Sequence, residues 1–246
     1  LPAPGAAPLF TGLPGGATTA SLPGVPVRLY MTPPREARRL LDETVADEDG
    51  IYRFFHVPLT DTLQLEIDLE YRGVSPPGFR VTYGRQLADA VTPVSLRTQE
   101  FSNRDQPLFV RDVAFEAASG DGNVADPSHL DDAALTYAHT WQAWRTAGEL
   151  GVSLDMHKKK GTPLEIRDFS PTPGAYYHGD KSYGPAEGVY HVPDGVYVNL
   201  GTAGATTSDA NRPMNREWHE FGHHVQTDMQ GDLIPWYRKG NGVGEF

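Results

Sequence analysis

His219, Glu220 and His223 stand in the run Trp218-His219-Glu220-Phe221-Gly222-His223-His224. Met214, Trp218, Phe221, Val225 and Met229 recur at steps of three or four, the apolar stripe of a helix with one buried face. On such a helix, residues four apart lie ~40° from each other and one turn apart, on one side. Two imidazoles placed so can bind one Zn²⁺ ion at ~2.0–2.1 Å each. Glu220 is too close in sequence to be an easy third ligand, but it is well placed to take a proton from a water held at that ion. The pattern His-Glu-x-x-His therefore points to metal-assisted hydrolysis, with His219 and His223 as ligands and Glu220 as general base. His224 reads as a packing residue. His56, His129, His139, His157, His178 and His191 have no ligand spacing and read as surface or satisfied core positions.

Composition restricts what else the chain could be. Its 246 residues fit one large domain or two modest ones. With 39% hydrophobic and 10% aromatic residues there is material for a packed core, which argues against disorder throughout. No run reaches the ~18 apolar residues of a membrane span. The excess of 32 acidic over 21 basic residues, a formal charge of −11, disfavours a nucleic-acid partner. Lys158-Lys159-Lys160 reads as a solvated turn. Cysteine is absent, so a metal must be held by His, Asp or Glu. Asp121, Asp126 and Asp131-Asp132 are the acidic residues a Ca²⁺ ion would use, although they lack a twelve-residue loop pattern. The chain starts at Leu1 without a signal pattern, and the expectation is a secreted or cell-surface protein processed upstream and continuing past Phe246.

The elements that must position the histidines can be read along the chain. Residues 1–24 are rich in Pro, Gly, Ala and Thr and read as a linker or tail. From Val25, apolar residues alternate at Val25-Val27-Leu29, Tyr52-Phe54 and Leu63-Leu65-Ile67-Leu69, with further strand-like pieces at 79–83, 93–98 and 108–115. Glu43 to Gly50 reads as an acidic turn. Short strands between turn signals predict a β-sandwich over 25–117. A polar joint follows at 118–126. Leu130, Ala133, Tyr137, Ala138, Trp141 and Trp144 then mark a helix over about 130–149, closed by Gly151. Strands are expected at 163–166 and 175–177. A hairpin is expected over 188–200, turning at Pro193-Asp194-Gly195.

Two resemblances sharpen this reading. Gly24-Val25-Pro26-Val27, the run Asp47 to Phe54 and Val57-Pro58 resemble the carboxypeptidase-regulatory or Cna-B type of transthyretin-like module. The run Trp218 to His224 resembles the zincin metallopeptidases, in the gluzincin branch of thermolysin-like and fungalysin-like enzymes. That likeness implies an α+β catalytic region over 118–246, incomplete at its C-terminus, one catalytic Zn²⁺, and a peptide or protein substrate. It implies a third ligand from a Glu some 20 residues after the second His. Glu245 stands 22 residues after His223, with Asp232 as runner-up and a residue beyond Phe246 as a further choice. A metzincin does not fit, because Gln226 and Met229 stand where Gly and His are required. The likeness also implies a substrate-binding edge strand. Gly174-Ala175-Tyr176-Tyr177 matches it at Ala175 and Tyr176, with Gly174 in place of Asn. His224, Tyr176 and Tyr237 are candidates for the oxyanion donor, which a C-terminal remainder or second chain would otherwise supply. The alternative from another class is an inactive peptidase-like scaffold carrying a β-sandwich binding or adhesion module.

Overall fold

A computed structural model describes residues 21–74, 78–83, 92–105, 111–115, 130–152, 163–167, 176–178, 181–182, 191–192, 195–197 and 215–230. The described residues form mostly β-strands in sheets, with two helices. A four-stranded antiparallel sheet is built from β1 (Pro26–Met31), β2 (Arg39–Val45), β3 (Leu63–Asp68) and β6 (Ser95–Arg97), in the order β2-β1-β3-β6. Its inward face follows from the period-two pattern. Val27 lies opposite Ile67, Leu29 opposite Leu65 and Met31 opposite Leu63. The other face carries charge. Arg28 bonds Glu43 at 2.9 Å, Glu66 at 2.6 Å and also Asp68. Burial pushes the Glu66 carboxyl up, but hydrogen bonds from Arg38 and Arg97 outweigh it and hold the group below its ordinary value.

The second sheet has five strands, β4 (Phe79–Tyr83), β5 (Thr92–Pro93), β7 (Leu164–Arg167), β8 (Tyr176–His178) and β11 (Gly195–Tyr197). Their order is β5-β4-β7-β11-β8. β4 and β7 are parallel, as are β7 and β11, while β8 runs antiparallel to β11. This sheet takes strands from both sides of the boundary expected near 117. The alternation of Phe79 and Val81 marks a half-buried strand, but not which sheet receives it. The two sheets are stitched at a corner. Beyond β3 the chain bonds back to β4 through Val81 N–H to Leu69 O and Tyr71 N–H to Phe79 O, both 2.8 Å. Val94 N–H donates to Val81 O, and Val94 O accepts from Leu69 N–H.

Three local expectations change. Residues 51–55 form no strand: His56 adopts a left-handed φ of 58° and Pro58 has no N–H to pair. Tyr52 instead donates to Arg111 O at 2.6 Å. The described part of 108–115, residues 111–115, is likewise not a strand. Nor do the described parts of the hairpin expected over 188–200 pair with each other. β10 (His191–Val192) pairs with β9 (Lys181–Ser182), while β11 has β7 on one edge and β8 on the other, so no edge is left for β10.

Helix α1 (Leu130–Glu149) covers β4. Its buried positions Leu130, Ala133, Ala134, Tyr137, Ala138, Trp144 and Ala147 repeat at helical steps. Gly151 at φ 77° ends it, with Gly151 N–H on Gly148 O and Val152 N–H on Ala147 O, the paired bonds of a Schellman cap. Phe79 sits between Tyr137 and Trp144 of this helix, at 5.1 Å and 5.9 Å between ring centroids. Tyr71 stacks on Phe79 at 5.5 Å. Its ring fills the space a Cβ at Gly24 would need, only 2.4 Å away, so Gly24 is required there on two counts: that approach and its φ of 72°. One core thus runs from β1 through both sheets and into both helices.

The Tyr137 hydroxyl donates to Pro23 O at 2.5 Å in this core, and burial holds the phenol well above its ordinary pKa, so it remains a donor. Tyr137→Phe should therefore lower stability by roughly 1–3 kcal/mol, the cost of a buried acceptor left without its donor. Urea unfolding would show this as a lower midpoint at unchanged slope. An unchanged midpoint would mean that the bond contributes nothing net.

Candidate metal centre on the second helix

Helix α2 (Asn215–Gln230) lies where the sequence places it and packs beside α1, β8 and β11. Phe221 is buried, and Trp218 and Val225 pack partly buried against the core. The contact that fixes the helix to its neighbour is Phe221 against Trp144 of α1, 6.0 Å between centroids. An aromatic chain from Tyr71 through Phe79 and Trp144 to Phe221 therefore connects the first sheet to the helix carrying the histidines.

His219 and Gly222 are exposed and His223 is half-buried, so this side of α2 faces away from the core. The Nε2 atoms of His219 and His223 are 3.0 Å apart, with ring planes at 89°. Two nitrogens at ~2.0–2.1 Å from one ion in tetrahedral arrangement stand about 3.3–3.4 Å apart. The observed pair is within a small ring rotation of that spacing and converges through the same atom of each ring. Both imidazoles are therefore suited to two corners of one zinc site.

Glu220 is buried, with 7% of its surface exposed, one residue from His219. A carboxylate at that position is withdrawn from bulk water while it stays on the flank of the histidine pair. His224 is fully buried with its ring 6.1 Å from that of Phe221, in keeping with a packing role. His139 is also fully buried, on α1.

Among the described residues no group of three metal-ligating side chains occurs. The expected third ligand Glu245 lies outside the described residues, as do Asp232, Tyr237 and Ala175. So do Asp121 and Asp126 of the calcium expectation, while Asp131 and Asp132 open α1. Tyr176 is the first residue of β8, paired with Tyr197 of β11, and β8 is the outermost strand on its side of the five-stranded sheet. The described structure thus brings together His219, His223 and Glu220 on a helix adjoining the strand that holds Tyr176.

Gly222 has no role in the motif, yet it stands between the two histidines in sequence and on the exposed side. Glycine inside a helix costs about 1 kcal/mol relative to alanine. Neither a positive φ nor a crowded neighbour accounts for it: a Cβ built at 222 meets no described heavy atom within 4 Å. Comparison with protein-family models, with characterised proteins and with solved structures gives no match for this chain.

Proposed function

We propose that the chain is a zinc-dependent peptidase, working outside the cell or at its surface, whose hydrolytic centre is carried by α2. The observation that carries this reading is the convergence of two Nε2 atoms at 3.0 Å beside a buried glutamate. His219 and His223 would hold the ion, with Glu245 as the third ligand. When bound, zinc acts as a Lewis acid on the scissile carbonyl and lowers the pKa of water from about 15.7 towards ~7. Glu220 accepts the proton of the attacking water and returns it to the departing amine. In this reading the backbone of β8 at Tyr176 would offer N–H and C=O groups to an extended peptide, the mode in which a strand is added to a sheet edge, and Ala175 would be a further substrate contact. Further support comes from the arrangement of that edge strand and α2 beside a mixed sheet, as a zincin-like α+β region requires. In this reading β4 and β5 belong to the catalytic region, although they precede residue 117.

Metal analysis tests the proposal directly. The full-length protein should carry about one zinc per chain. His223→Ala should lose more than the ~10–100-fold in affinity that removal of a residue merely supporting a ligand costs, because it removes a ligand itself. Equal zinc in both proteins, or none in the wild type, would overturn the assignment. Absence of zinc would favour the scaffold with a binding module.

A further inference from the structure

We propose that Trp144 of α1 is a positioning residue for the metal centre: its indole, braced on the Gly78 backbone, sets how far α2 and its histidine pair stand from the five-stranded sheet. The proposal rests on the peptidase reading and adds to it the part that holds the ligands in place. A Cβ built at Gly78 would lie 2.9 Å from both Cζ2 and Cη2 of Trp144, so the edge of the ring lies against bare backbone. That backbone is itself fixed on two sides, by Gly78 N–H to Tyr71 O and by Leu164 N–H to Gly78 O, both 2.9 Å. Trp144 is only 3% exposed. Among the described residues its ring has Tyr71 at 6.1 Å, Phe79 at 5.9 Å and Phe221 at 6.0 Å between centroids. Tyr71 and Phe79 belong to the strand segments joined at Gly78, whereas Phe221 belongs to α2. Any displacement of the indole away from Gly78 is therefore passed to Phe221.

Phe221 stands two residues from each histidine of the pair, hence ~160° round the helix from both. The side of α2 that meets the indole is thus the counterface of the pair, and a push there moves both histidines outward together. Their mutual spacing is kept, because both ride on one helix. What changes is the distance from the pair to everything supplied from elsewhere: a third ligand, and the strand β8 that packs beside α2. An ordinary carbon–carbon contact is ~3.5–4.0 Å, so alanine at position 78 displaces the indole by roughly 1 Å. A misplacement of about 1 Å is enough to cost ~10²-fold in rate.

The test compares the full-length holoprotein with Gly78→Ala, Trp144→Phe and the two together, each studied well below its Tm. Gly78→Ala should lower zinc affinity by ~10–100-fold, the loss that follows when the support of a ligand is disturbed. Its kcat on denatured casein should fall by about 10²-fold. Trp144→Phe, which withdraws the braced ring atoms, should lower zinc affinity by about tenfold. In the double variant the new methyl fills space that the indole vacates, so most of either loss should be recovered, as contacting residues that act together require. With Co²⁺ in place of zinc, the visible spectrum should change shape in both single variants and return in the double, whereas a smaller folded fraction only scales its height. A lower Tm with zinc affinity and Co²⁺ spectrum unchanged would make Trp144 a core residue only, overturning its positioning role and leaving the peptidase reading intact. Additive losses in the double variant would overturn that role too. If Gly78→Ala does not fold, Trp144→Phe against wild type decides by the same two metal readouts. A wild type that holds no zinc would overturn both proposals.

Discussion

Glu220→Gln should reduce peptide hydrolysis by at least the ~10²–10⁴-fold that a general base contributes, with zinc still bound. The amide keeps the shape of the side chain and its place on α2, so helix packing through Phe221 and Trp144 is retained. What it cannot do is accept a proton. Because Glu220 is buried, bulk water cannot readily stand in for it from the same side. The readout is kcat at saturating substrate together with zinc stoichiometry. Loss of kcat with metal retained separates a proton acceptor from a ligand, since a ligand variant would lose both. Activity within about tenfold of wild type would remove Glu220 from this role.

A chain restricted to residues 118–246 should fail to fold, whereas the full chain should unfold cooperatively. β7 pairs with β4 over four residue positions, from Phe79 opposite Leu164 to Thr82 opposite Arg167. Cutting before 118 strips β7 of that partner and leaves its N–H and C=O groups unpaired along one edge. The cut also removes Phe79 and Tyr71, against which Trp144 packs, and the Pro23 carbonyl bonded by Tyr137. Loss of one buried aromatic side chain costs about 3–5 kcal/mol, and whole domains are stable by only 5–15. Circular dichroism and a thermal scan of the truncated chain should show no cooperative transition. A sharp transition in that fragment, with zinc bound, would show that the first sheet is an accessory and not a foundation.

Helix α2 and three of the four strands of the first sheet, β1, β3 and β6, are legible in the sequence. Phe221 and Val225 on α2, and Val27, Leu29, Leu65 and Ile67 on β1 and β3, bury one face each, so period and structure agree. β2 escapes notice because Arg39–Val45 is an edge strand with both faces largely open to water, and such a strand has no alternation to display. β4 is visible as a strand but not as a neighbour of β7, because parallel pairing is set by a crossover far along the chain. β11 is misjoined to β10 because a Pro-Asp-Gly turn signals a reversal without saying which edges are already taken. Of the candidate site, His219, Glu220 and His223 are legible because the reading rests on their spacing along one helix.

The parallel pairing of β4 with β7 also sets a timetable. About 80 residues separate the end of the first strand from the start of the second. At ~5–20 residues per second, a ribosome needs roughly 4–16 s to deliver the partner. Through that interval the nascent chain holds Phe79 and Val81 without the strand β7, and for most of it without the complete helix α1, that will bury them. The antiparallel sheet β2-β1-β3 can close early, from neighbouring segments, and offer a template. The five-stranded sheet, and with it the histidine helix, must wait for residues near 197 and 230. Assembly therefore runs from the N-terminal sheet towards α2. The interval exposes an apolar strand, and chaperone dependence or low yield on fast overexpression is its expected symptom.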